Sequence, residues 1–112
     1  MEHLPFCSAV KAGDFIFLSG TAALKDDDGN TSIDGQTHQI MKQMARTLAN
    51  FDATLDDLVK VTIFIGEQAE WSKMNDVYRS YFKGDLPARA TCVAGLVVPG
   101  FLIEMEAMAY KP

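Results

Sequence analysis

Positive charge is scarce in this sequence and nowhere concentrated. Ten lysines and arginines stand against fifteen aspartates and glutamates, giving a net charge of −5 over 112 residues. Nucleic-acid binding is driven largely by neutralising phosphates, so this balance counts against it. Cysteine is nearly absent as well. Cys7 and Cys92 form no CxxC and are too few for a disulfide scaffold. Free, buried thiols in a reducing compartment are expected. With only His3 and His38 beside them, no structural zinc constellation emerges. No apolar run approaches the ~20 residues of a membrane span. The opening "MEHLPFCSAV" has neither a basic nor a long apolar segment, so no signal peptide is visible and the cytoplasm is the expected location.

What remains describes an ordinary globular chain. An apolar fraction of 48% in 112 residues supports one domain, 1–112, with a single modest core. "FIFLSG", Phe15 to Gly20, reads as a strand, with "PFCSAV" as its hairpin partner across "KAGD". The polar stretch Lys25–Gly35 reads as a loop. Its acids do not fit a calcium loop, because counting from Asp26 puts Thr31 and Thr37 where glycine and glutamate are needed. Apolar spacing predicts a helix from about Gln36 to Phe51, with Asp34 as its N-cap. "TLDD", Thr54 to Asp57, resembles a capping box for a short turn. "VKVTIFI" predicts a strand whose Val59, Val61, Ile63 and Ile65 form one apolar face. A second helix is expected from about Glu70 to Phe82, with Trp71, Met74, Val77, Tyr78, Tyr81 and Phe82 buried and Asn75 beside that stripe. "GDLP" ends it. Strands over about Arg89–Leu96 and Leu102–Tyr110 close the chain, separated by "VVPG".

The order β-β-α-β-α-β-β implies an α+β two-layer domain, a mixed sheet with both helices on one face. The other face would carry Lys60, Thr62, Phe64, Glu104, Glu106, Met108 and Tyr110, joined by Arg89, Thr91 and Val93. Such a mixture is too apolar for solvent and too charged for a core, which points to a subunit interface with sites built into it. Arg89 has no acidic neighbour in sequence. It either pairs with an acid elsewhere, Glu104 or Glu106 if the last two strands adjoin, or it receives an anion from outside. Cys92 reads as a packed, inert thiol, and Trp71 and Tyr110 as packing residues.

Several segments together resemble the RidA/YjgF family of enamine/imine deaminases: "LSG" (Leu18–Gly20), "LVKVTIFI" (Leu58–Ile65), "MNDVYRSYF" (Met74–Phe82), "LPARATC" (Leu86–Cys92) and "IEMEAMA" (Ile103–Ala109). The resemblance covers Leu4 to Tyr110. It implies a chorismate-mutase-like fold, a homotrimer with clefts between subunits, and hydrolytic release of ammonia from 2-imino acids such as 2-iminopropanoate and 2-iminobutanoate. It implies no metal and no organic cofactor. Carried over residue by residue, it makes Arg89 the carboxylate clamp and Glu104 the residue that positions or deprotonates water. It also assigns Phe6, Ser19, Gly20, Asn75 and Thr91 to substrate binding. Chemistry alone does not separate Glu104 from Glu106. Asn75 also reads as a structural amide bridging helix to loop, and Phe6 as a core residue.

Three positions depart from the family pattern. Thr21 stands where glutamine is common, Phe6 lacks the usual tyrosine hydroxyl, and Thr91 replaces a cysteine. These bear on the substrate rather than on carboxylate binding. A trimeric module that binds small carboxylates without turnover, and a ribonuclease, are the competing readings.

Overall fold

The computed structural model describes residues 4–112. Five strands and two helices follow the expected order: β1 (Ala9–Ala12), β2 (Phe15–Thr21), α1 (Ile33–Ala49), β3 (Leu58–Ile65), α2 (Trp71–Arg79), β4 (Ala88–Val93) and β5 (Ile103–Tyr110). The sheet runs β1-β2-β5-β3-β4, antiparallel throughout except for the β3–β4 pair. Both helices cover one face. Ile16, Ile40, Met41, Met44, Leu48, Ile63, Met74 and Met105 are fully buried between the layers. Alternation along β5 decides this sidedness, since Ile103, Met105, Ala107 and Ala109 point into the core.

Boundaries moved for local reasons. Ser32, not Asp34, caps α1, its hydroxyl accepting from the Gly35 N–H at 3.4 Å; Asp34 lies in the first turn. The Asp57 carboxylate accepts from the Thr54 N–H at 2.8 Å and closes the turn before β3. Pairing of β3 with β5 slips between Leu58 and Lys60, so Leu58 takes the buried place expected for Val59, which is exposed. Helix α2 ends at Arg79, ahead of the "GDLP" breaker, and Tyr81 and Phe82 follow in single turns. Its N-terminal Trp71 is 48% exposed rather than buried.

Among the described residues nothing covers the face away from the helices. Phe15, Phe17 and Tyr110 cluster there with ring centroids 5.1 and 6.5 Å apart, all substantially exposed. Tyr110 is thus not a core packing residue. Cys92 faces the same way, opposite Phe64, and both Cys7 and Cys92 are exposed rather than buried.

Candidate active site

Strand order places Arg89 differently from the sequence expectation. β4 adjoins β3, not β5, and Arg89 lies level with Val61. Laterally paired residues share a face, and Val61 is fully buried under the helices. Arg89, Thr91 and Val93 therefore belong to the helix side, while Ala88, Ala90 and Cys92 face the open side. Glu104 pairs with Phe64 on that open side. Arg89 and Glu104 lie on opposite faces, two strands apart, about 10 Å across the sheet. Neither Glu104 nor Glu106 pairs with Arg89.

Around Arg89 the surroundings are aromatic and polar rather than acidic. Its guanidinium carbon sits 5.0 Å from the Tyr78 ring centroid. No carboxylate among the described residues forms an ion pair with it. Cation–π contacts of this kind are worth about 0.5–2 kcal/mol, enough to orient the fork without neutralising it. The Tyr78 hydroxyl and the Asn75 Oδ1 are buried nearby without partners. Burial pushes the Tyr78 phenol up to about 12, opposed in part by the Arg89 charge. Asn75 therefore does not make the expected bridge through its carbonyl oxygen. Trp71, Asn75, Tyr78, Leu86 and Arg89 line a hollow of about 220 Å³. Trp71 also borders the adjoining, larger concavity at Thr91 and Val93.

A second cleft, of about 540 Å³, gathers Phe6, Ser19, Gly20 and Glu104. Its geometry comes from a bulge. Leu18 pairs with Ala107 and Thr21 with Met105, so β2 carries an extra residue at Ser19–Gly20. The Ser19 N–H donates to the Ser8 carbonyl at 3.0 Å and its hydroxyl to the Cys7 carbonyl at 2.6 Å, tying the N-terminal segment to the bulge. Glu104 lies directly on Gly20: a Cβ there would stand 2.5 Å from Glu104 Oε2. Only glycine lets this carboxylate approach the backbone so closely. Glu106 is elsewhere, beside Phe17, Lys60 and Thr62. Of the two glutamates, Glu104 is the one beside Ser19 and Gly20. Phe6 is 57% exposed on the cleft wall, not in the core.

The family model described as Endoribonuclease L-PSP matches residues 2–111. The chain belongs to this family, the RidA/YjgF family. Among curated relatives it is similar to a RutC family protein of Pyrococcus abyssi, 36% identical over 110 residues that cover 96% of this chain and 87% of that one. It is also similar to Reactive Intermediate Deaminase A, chloroplastic, of Arabidopsis thaliana, 32% identical over 94% of this chain and 58% of the plant protein. Among solved structures, a YjgF-family member from Neisseria meningitidis superposes with a TM-score of 0.88 at 27% identity, covering 98% of this chain and 91% of that chain. YyfA of the Rid protein family, from Yersinia pestis, does so with a TM-score of 0.85 at 34% identity, covering 95% and 87%.

Three residues of this RidA/YjgF protein gave no functional signal in the sequence. Gln36 is fully buried. Its amide nitrogen donates to the carbonyls of Leu24, Thr31 and Gly100 at 3.2, 3.2 and 2.8 Å, and its oxygen accepts from the Leu102 N–H at 2.8 Å. It thereby fixes the segment leading into Glu104. Gln43 and Thr47 face the cleft from α1. Helical periodicity marks such positions only as flanking the apolar stripe, and the loops that Gln36 joins are up to 66 residues away in sequence.

Proposed function

We propose that this protein hydrolyses 2-imino acids to 2-keto acids and ammonia, in sites built between the subunits of a homotrimer. The observation that carries the reading is Arg89: a half-buried guanidinium with no ion-pair partner among the described residues, held on Tyr78 beside two polar atoms that find no partner among those residues either. A planar substrate carboxylate supplies the two acceptors that its fork lacks. Arg89 and Glu104 occupy opposite faces of one protomer, so a single substrate meets both only where two protomers adjoin. The uncovered face with Phe15, Phe17 and Tyr110 supports such an assembly.

In this arrangement Arg89, with Asn75 and Thr91 nearby, holds the substrate from one subunit. The neighbour's Glu104, on β5 and resting against Gly20 of the bulge, orients a water and accepts its proton as the oxygen attacks C2. Glu104 passes that proton to the imine nitrogen, and the product is a neutral carbinolamine. The carboxylate then takes the hydroxyl proton and delivers it to the nitrogen as the C=O bond forms and the C–N bond breaks, so that ammonia leaves and Glu104 is restored. Imines hydrolyse unaided, so positioning supplies most of the acceleration required.

The test generates 2-iminobutanoate in situ from threonine with a dehydratase, in the presence of semicarbazide. Faster keto-acid release and less trapped imine are expected with the wild type, and a loss of at least 100-fold with Arg89→Ala. An unimpaired Arg89→Ala protein would refute the reading. In Glu104→Gln, unchanged keto-acid binding is expected together with lost turnover. A wild type that binds but never turns over would make the protein a carboxylate-binding module instead. The family model's description names an endoribonuclease; with a net charge of −5, RNA cleavage lost on Arg89→Ala would be needed to favour that activity.

A further inference from the structure

The cleft at Glu104 is far larger than a pyruvate-sized imine requires. At about 30 Å³ per water, its 540 Å³ corresponds to about eighteen waters. Its lining is also one-sided chemically. Leu4, Phe6, Val97, Val98 and Phe101 form an apolar wall. Val97 is 91% and Leu4 66% exposed, so nothing among the described residues of the chain covers them. Gln43 and Thr47 close the α1 side without charge. Glu104 is the only charged residue among the described residues that line the cleft, so this protomer's wall offers no cation to a second substrate carboxylate. Phe6 contributes an apolar ring with no hydroxyl to orient a polar substituent.

Resting on the deaminase reading, we infer that the preferred substrates are 2-imino acids with a branched or aromatic apolar side chain, which lies along the Phe6–Val98–Phe101 wall while C2 faces Glu104. Each buried methylene contributes about fourfold to binding, and a pocket that grips it in the transition state carries that factor into kcat/KM.

An amino-acid oxidase releases the imines of leucine, phenylalanine, alanine and aspartate, and semicarbazide competes with the enzyme for each. The fraction escaping the trap yields relative kcat/KM independently of the rate of supply. The leucine and phenylalanine imines are expected to exceed the alanine imine at least tenfold, with the aspartate imine last. Val98→Asp, at a half-exposed position that tolerates a polar residue, is expected to lower the leucine-to-alanine ratio about tenfold. If the alanine imine is hydrolysed as fast as the leucine imine or faster, or if Val98→Asp leaves the ratio unchanged, the specificity inference is overturned while the deaminase reading stands. If no imine is hydrolysed, both fall.

Discussion

An alanine at position 20 is expected to separate catalysis from folding. Gly20 is not among the positive-φ glycines, so its backbone suits any L-residue. The three atoms nearest an added Cβ all belong to Glu104: Oε2 at 2.5 Å, Cδ at 3.1 Å and Cγ at 3.5 Å. Ordinary contact begins near 3.4 Å, so the carboxylate must retreat by roughly 0.5–1 Å, within the scale on which misplacement costs about 100-fold in rate. Folding is affected little. Displacing the end of a flexible side chain off its rotamer costs about 0.5–1.5 kcal/mol, and alanine offsets about 0.4–1 kcal/mol of that by restricting the unfolded chain. The expected result is a 10- to 100-fold fall in kcat in the imine-trapping assay, with a Tm within a few degrees of wild type. Gly66→Ala is the control, because its added Cβ would meet nothing closer than the Leu102 carbonyl at 3.8 Å. A folded Gly20→Ala protein with wild-type turnover would show that the placement of Glu104 does not govern the reaction.

Gln36→Leu removes four hydrogen bonds and strands three carbonyls and one N–H; a loss of about 3 kcal/mol in urea unfolding is expected, and a loss below about 1 kcal/mol would contradict the role given to this amide. Tyr78 holds its proton more tightly folded than unfolded, so its contribution is complete below pH 10 and is lost as pH rises towards about 12. Tyr78→Phe is expected to flatten the fall of the urea midpoint between pH 10 and 12, and an unchanged slope would contradict that assignment. Mixing inactive Arg89→Ala and Glu104→Gln proteins, after dissociation and reassembly, is expected to restore about a quarter of the sites by random pairing. No recovery from mixed oligomers would place both groups of each site in one chain.

The sequence was legible wherever periodicity carried the information. The order of elements, the apolar face of β5 and the buried Met41, Met44, Met74 and Tyr78 follow from spacing alone. What it concealed was which strands adjoin. Consecutive strands often pair, which made β4 and β5 seem neighbours and put Arg89 opposite Glu104. Here β5 inserts between β2 and β3, and β4 runs parallel to β3 at the edge. One change of neighbour moved Arg89, Thr91 and Val93 to the helix side. The slip at Leu58–Lys60 and the bulge at Ser19–Gly20 were invisible for a related reason, since a single extra residue leaves no mark on composition. The residues that the resemblance groups fall in two places: Gly20 and Glu104 meet on one cleft, and Asn75 and Arg89 line one hollow.

That separation has a chemical consequence. Had Arg89 and Glu104 shared a face, they would have formed an ion pair worth at most about 1 kcal/mol near the surface. Each incoming carboxylate would then have had to displace Glu104 from the guanidinium, and Glu104, once bound, would have been a weaker acceptor for a water proton. Placing them on opposite faces keeps the cation waiting on Tyr78 and the anion resting on Gly20. Neither can neutralise the other within its own chain. In the proposed assembly they approach where a second protomer presents the complementary half, and a substrate bound there would keep its carboxylate on Arg89 and its C2 towards Glu104. On this reasoning Arg89 stands without an ion pair among the described residues because its partner arrives with the substrate, and the proposed activity depends on assembly as strictly as on either residue.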